Sequence, residues 1–277
     1  MKPTGIREPV FAGTFYPGDP QVLQDEIERM LSRTSIAPPG GALVALIVPH
    51  AGYPYSGLTA STAYKLLERS TYDAIVIVGP SHREYFEGIS VFSGSTFRTP
   101  LGDVPIDGAL RSALTEGDRI VGSSTTGHLR EHSIEVQVPF LQTVLPGTSI
   151  LPIVMGSQDR EYCLHLGRRL GETLAGRNVL LIATTDLSHY HSYDDAGVLD
   201  DIIIRDMAQF DVEQMMGDLE SNRTEACGGG PAVAVLDAAR RLGADKVRIL
   251  YHCNSGDVTG HRDAVVGYLS AAALRPH

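Results

Sequence analysis

Cysteine is scarce in this sequence: Cys163, Cys227 and Cys253 are the only three among 277 residues. An odd, scattered trio makes no disulfide framework, so free thiols in a reducing compartment are the expected state. Positive charge is also short. Against 33 acidic residues stand 23 lysines and arginines, a formal net charge of −10. Nucleic acids and anionic membranes both select a basic face, so neither is an expected partner. No apolar run approaches the roughly 18–20 residues of a membrane span. The stretch Met1-Lys-Pro-Thr-Gly-Ile-Arg-Glu lacks the apolar centre of a secretory signal. The cytoplasm is therefore the expected location. Tandem repeats, low-complexity segments and composition breaks are missing as well. One domain over 1–277 is expected, with the first 40 residues forming an arm and a helix packed on it.

Three continuous apolar runs stand out against this background. Ala42–Val48, Ala74–Val78 and Val179–Ala183 show no polar alternation, the pattern of strands covered on both faces. Each delivers a histidine at or just past its carboxyl end: His50, His82 and His189. Between the runs lie helical patterns, over 22–31, 57–67, 160–174, 194–209 and 212–219. A further helix is expected from Cys227-Gly-Gly-Gly-Pro231 to about Leu242, and another over 131–144 with a kink or boundary at Pro139. Strands are expected over 89–92, 149–155, 246–251 and 264–273, with Pro152 marking the second of these as an edge or bulged strand. Residues 97–107 read as irregular, and 121–130 as loop. Strand–helix alternation of this kind gives an α/β fold: a central, mostly parallel or mixed sheet with helices on both faces. In such folds ligands bind beyond the carboxyl ends of the strands.

His50 and His82 sit in parallel settings, one strand–helix–strand unit apart, and two neutral imidazoles begin a transition-metal site. Cys227 stands in a glycine-rich turn at a helix start, where the dipole is expected to favour a thiolate, as metal ligand or nucleophile. Asp186 and His189 are three residues apart, so the carboxylate can orient the imidazole as a general acid/base. In Glu131-His132-Ser133-Ile134-Glu135 the glutamates share a helical face, and His132 points into the site from its rim. A second histidine at zinc-protease spacing is lacking there. His128, His165, His191, His261 and His277 read as surface or loop residues.

Six blocks in order carry a resemblance over nearly the whole chain: Phe11-Ala-Gly-Thr-Phe-Tyr-Pro17, Pro49-His-Ala-Gly-Tyr53, Gly79-Pro-Ser-His82, Glu131-His-Ser-Ile-Glu135, Thr185-Asp-Leu-Ser-His189 and Cys227-Gly-Gly-Gly-Pro231. Together they resemble the Memo family, whose prokaryotic members are called AmmeMemoRadiSam system protein B. The resemblance implies a fold similar to class III extradiol ring-cleaving dioxygenases, which are non-haem Fe(II) enzymes. It implies His50 and His82 as metal ligands and His189 as the acid/base. It sets Cys227 where those dioxygenases have a glutamate. A thiolate is softer than a carboxylate and opens the choice to copper or zinc beside iron. Three functions stay open: a metal-dependent oxidoreductase acting on a small, aromatic substrate; a non-catalytic module binding metal or peptide through the same pocket; and a zinc hydrolase. In the first, His189, Asp186 and His132 serve the chemistry, and His50, His82 and Cys227 hold the metal.

Overall fold

Apolar β-branched runs become buried strands, and amphipathic segments between them become covering helices. A computed structural model describes residues 5–276; His277 lies outside the described residues. The chain opens with β1 (Ile6–Arg7) and α1 (Pro20–Arg33), whose first turn is capped by Asp19. A strand–helix–strand unit follows: β2 (Ala42–Val48), α2 (Tyr53–Tyr64) and β3 (Ala74–Pro80). Next come β4 (Ile89–Phe92), the hairpin β5 (Thr96–Thr99) and β6 (Gly102–Pro105), α3 (Gly108–Thr115) capped by Asp107, and β7 (Val121–Ser124). The middle of the chain is α4 (Val138–Val144), β8 (Ser149–Met155), α5 (Arg160–Leu174) and β9 (Val179–Thr184). The last part holds β10 (His189–His191), α6 (Tyr193–Ala208), α7 (Val212–Glu220), α8 (Gly229–Arg241), β11 (Lys246–Asn254), α9 (Ser255–Thr259) and β12 (Val265–Arg275).

Among the described residues the main sheet has nine strands, in the order β10-β12-β2-β9-β3-β8-β4-β7, with β11 also paired to β12. Its centre is parallel: β2, β9, β3 and β8 run the same way, and β12 and β4 flank them antiparallel. The α/β class with a mixed sheet is thus as expected. Side chains alternate across it. Ala45, Ile47, Val76, Val78, Leu181 and Ala183 face α5 and α8; Leu46, Val48, Ile75, Ile77, Leu180 and Ile182 face α1, α2 and α4. Helices therefore cover both faces.

Four local expectations change. Residues 97–107 contain the β5–β6 hairpin, which joins β1 in a small second sheet. Residues 121–124 pair with β4 rather than looping freely. Pro152 lies inside the sheet, in regular register with Ile77; its missing N–H is tolerated because pairing on the β4 side stops at Ile153, one residue short of it. Helix is absent from 131–134, where the Glu131 carboxylate accepts the Ser133 N–H at 2.9 Å and competes with helical bonding. A 3₁₀ turn over Glu135–Gln137 then leads into α4, with Pro139 in its first turn.

Candidate metal centre

β9 lies between β2 and β3, so the strand ends carrying His50 and His82 are next-nearest neighbours, separated by the end that carries Asp186. All three segments emerge at one edge of the parallel sheet. Two glycines allow other chain segments to close on that edge. A Cβ at Gly79 would stand 2.6 Å from Ser133 Oγ, and one at Gly228 would stand 2.2 Å from the Thr184 carbonyl oxygen. The 131–135 segment and the Cys227 turn are thereby brought against β3 and β9.

The three imidazoles of His50, His82 and His132 meet here. One ring nitrogen of each lies within 4.8 Å of the others. Ring centroids are 5.1 Å apart for His50–His82, 5.3 Å for His50–His132 and 4.5 Å for His82–His132. His132, expected on the rim, is thus part of the cluster itself.

Hydrogen bonding fixes which nitrogens are free. Gln137 Oε1 accepts from Tyr64 Oη at 2.8 Å, which orients its Nε2 toward Pro49 O and Thr184 Oγ1, at 2.9 and 2.8 Å. The Thr184 hydroxyl donates to Ser133 O at 3.3 Å, so its remaining lone pair accepts from His50 Nδ1 at 2.9 Å. His50 Nε2 is left with its lone pair, toward which the Cys227 thiol points at 3.0 Å. The Glu131 carboxylate accepts the His82 N–H at 2.7 Å and His82 Nδ1–H at 2.8 Å, which frees His82 Nε2 in the same way. This carboxylate–imidazole arrangement is the one that orients metal-ligating histidines. His132 Nδ1 is buried and makes no hydrogen bond, 3.3 Å from Glu131 Oε1. Burial lowers the pKa of His50 well below the ordinary histidine value, helped by the His82 charge. Burial and the His50 charge lower His132 to about 3. Both are neutral near pH 7, the protonation state a metal ligand requires. Two fixed tautomers, neutral rings and an orphaned buried nitrogen together fit a divalent transition metal.

Glu131 gives a pH prediction. Burial works to raise its pKa, but the His82 hydrogen bond and charge and the His82 and Ser133 N–H groups prevail and hold it at about 2. A folded-state pKa below the unfolded value stabilises the fold above the unfolded pKa, and that contribution is lost as pH falls toward 2. Metal-free protein is expected to lose about 3 kcal/mol from this group between roughly pH 5 and pH 2. Urea unfolding of Glu131→Gln across that window should show a correspondingly flatter decline.

Cys227 lies beside the cluster: its Sγ is 3.0 Å from His50 Nε2. The expected lowering of its pKa does not occur. Burial pushes the thiol up, and the neighbouring Asp186 charge adds to that. Gly228 caps α8 with no side-chain hydrogen bond, and the sulfur sits against the backbone of Asp186, whose N–H it accepts at 3.3 Å. With His50 lowered and Cys227 raised, the pair is a neutral S–H···N contact rather than a thiolate–imidazolium nucleophile. Gln158 pins the turn, donating to Cys227 O and accepting the Gly230 N–H.

Asp186 serves the His50 turn, accepting the His50 and Ala51 N–H groups at 2.7 and 3.3 Å. Burial raises its pKa against the pull of those N–H groups and the nearby histidines. The expected Asp186–His189 hydrogen bond is not made. Residues 189–191 extend as β10 along β12 instead of opening a helix, and His189 Nδ1 donates to Leu187 O at 2.7 Å. His189 still lines the same pocket, of about 570 Å³, with the cluster, Asp186, Tyr190, Glu225 and Cys227. Glu225 accepts the His189 N–H and His191 Nε2 at 2.8 and 2.7 Å. Three contributing residues went unnoticed in the sequence, Thr184, Gln137 and Glu225 as orienting groups, and Glu131 was singled out there but not as the partner of His82. Glu131 and Glu135 did carry a signal, since neither has a lysine or arginine three or four positions away. His128, expected at the surface, is buried and bonded to Ser90 O at 2.9 Å, and burial lowers it to about 4.

Tyr190 sits at the pocket mouth, 77% exposed, with a left-handed φ of 63° at the irregularity between β10 and β12. That backbone costs an L-residue about 1–2 kcal/mol, and an exposed ring returns little packing. Tyr190→Gly is therefore expected to leave the melting temperature unchanged or raise it by up to about 2 °C, measured calorimetrically.

An open α/β sheet with a histidine cluster at the carboxyl edge of its parallel strands defines the class. Residues 7–272 match the family model described as Memo-like protein. A MEMO1 family protein of Methanosarcina mazei is 38% identical over 266 residues, covering 95% of this chain and 97% of that one. One of Aquifex aeolicus is 38% identical over 273 residues, covering 97% and 99%. This chain belongs to the Memo family. The crystal structure of an uncharacterized protein from Escherichia coli K12 has the same fold, with a TM-score of 0.58 at 18% identity over 83% of this chain and 99% of that one. Among the described residues no helix is long and apolar enough to cross a membrane.

Proposed function

We propose that His50, His82 and His132 hold one divalent transition-metal ion, ferrous iron in first place, and that the protein is a metal-dependent oxidoreductase acting on a small aromatic molecule. The observation that carries this reading is the cluster itself: three imidazole nitrogens within 4.8 Å of one another. A redox-active ion bound there supplies electron transfer and Lewis acidity. The chain's own residues supply the rest. Thr184 and Glu131 hold two imidazoles in the ligating tautomer. His189 carries its proton on Nδ1, donated to Leu187 O, so its Nε2 is the atom that accepts and returns a proton at the pocket. Asp186 keeps a buried carboxyl beside the cluster, and Cys227 closes one side as a neutral thiol.

The test is metal analysis of protein purified without oxygen, followed by O₂ uptake with a panel of catechols. The expected result is one iron per chain and metal-dependent uptake. Cys227→Ser is expected to retain metal, since the thiol is beside the three-nitrogen set and not within it. Uptake absent at every metal loading defeats the oxidoreductase reading; stoichiometric metal without turnover favours a binding module. The donor set favours a second reading, a zinc hydrolase, because three neutral histidines are also a catalytic zinc arrangement. Zinc in the purified protein with ester hydrolysis would select it.

A further inference from the structure

Arg83 and Arg130 flank the cluster in sequence yet take no part in it. Arg83 follows His82 and Arg130 precedes Glu131, and the 2.7 Å hydrogen bond from His82 N–H to Glu131 draws the two backbones together. Both side chains are exposed, and among the described residues neither makes a salt bridge or a side-chain hydrogen bond. Arg29, Arg33, Arg69, Arg119, Arg177 and Arg275 are likewise exposed without a side-chain partner among the described residues, so what sets Arg83 and Arg130 apart is their place beside the histidine cluster. Arg98, Arg160, Arg205, Arg223 and Arg241 each hold a carboxylate, as an excess of 33 acids over 23 bases makes easy. Arg83 and Arg130 instead line one cleft of about 440 Å³ with Val10, Phe11 and Glu84. The Glu84 carboxylate is engaged, accepting the Gly127 N–H at 2.8 Å. Phe11 reaches from this cleft to the cluster, its ring centroid 5.5 Å from that of His132.

We propose that this cleft is an oxyanion subsite for the substrate. The two guanidinium groups take a carboxylate or phosphate, and Phe11 packs the apolar body that leads from it toward the histidine cluster. Guanidinium forks match planar or tetrahedral oxyanions with paired charge-assisted hydrogen bonds. The substrate class is then an anionic, apolar-bodied molecule, and this assignment rests on reading the cluster as the reacting centre.

The experiment is titration by calorimetry and ligand-observed NMR with benzoate, phenyl phosphate and neutral benzyl alcohol, on protein as purified and after dialysis against a chelator. Both anions are expected to bind saturably without metal and more weakly at high salt. Benzyl alcohol is expected not to bind, and the tighter anion identifies the natural group. R83Q and R130Q should each weaken the anions about tenfold, and R83K should retain part of the affinity. Both positions are exposed, so thermal unfolding should be unchanged. Equal anion binding by the R83Q/R130Q protein, or benzyl alcohol binding as tightly as benzoate, overturns the subsite. Metal content read on the same samples keeps the two ideas apart: selective anion binding in protein that takes up no metal defeats the proposed function and leaves the subsite standing.

Discussion

His82→Ala will be purified without metal, and its affinity for Fe(II) or Zn(II) will fall by more than about 100-fold. Loss of an orienting partner alone typically costs 10–100-fold, and here a ligand is removed. His50→Ala and His132→Ala are expected to behave alike, because one nitrogen from each ring lies within the same 4.8 Å group. Glu131→Gln keeps the ligands but loses the carboxylate that fixes the His82 tautomer, so it should fall between these variants and the parent. Cys227→Ser is the informative contrast. A ligand set of His50, His82 and Cys227 predicts that the serine variant loses metal and His132→Ala keeps it; the observed cluster predicts the reverse. Competition with a chromophoric chelator measures each. Retention of full affinity by His82→Ala would remove the basis for a metal centre.

That contrast also shows how far the sequence reaches. Runs such as Ala74-Ile-Val-Ile-Val78 announce buried parallel strands because nothing polar interrupts them, and His50 and His82 are legible because each directly follows such a run. Position along one strand says nothing about its neighbours, however. The order that inserts β9 between β2 and β3 comes from long-range pairing, and so does the approach of His132. Pro152 misleads for the same reason: it warns of a missing donor but cannot tell which side of the strand is unpaired. Glu131-His-Ser-Ile-Glu135 misleads more deeply. Its spacing suits a helix, but Glu131 and Glu135 bind Ser133, His82 and Arg7 instead, and these tertiary bonds override the local preference. The thiol is the clearest case. A helix start suggests a lowered pKa, whereas burial and Asp186 reverse the sign, and neither is visible in Cys227-Gly-Gly-Gly.

The largest effect on stability is expected where the N-terminal arm meets the site. Arg7 and Glu135 form an ion pair with both side chains fully buried. Arg7 also donates to Glu131 O and His128 O, at 2.8 and 3.3 Å, and lies 4.8 Å over the Phe97 ring. Glu135 further accepts the Phe11 N–H at 2.8 Å and Tyr16 Oη at 2.6 Å, so one carboxylate ties the arm down along its length. Removing one partner leaves a buried, uncompensated charge, which costs about 3–5 kcal/mol. Arg7→Met is thus expected to lower the melting temperature by about 10 °C. Arg7→Met/Glu135→Leu should recover only part of this. The charge is gone, but the Phe11 N–H and the Tyr16 hydroxyl lose their acceptor. A double-mutant cycle in urea measures the coupling, and strictly additive single effects would refute it. The same bonds bear on the histidine cluster. Phe11 and Phe15 pack against His132, with ring centroids 5.5 and 4.7 Å away, and Phe15 O accepts the Tyr53 N–H at the start of α2. A loosened arm frees the one imidazole of the cluster that no hydrogen bond orients. Arg7→Met should therefore also weaken metal binding, and by less than any histidine substitution, because it disturbs the packing around a ligand without removing one.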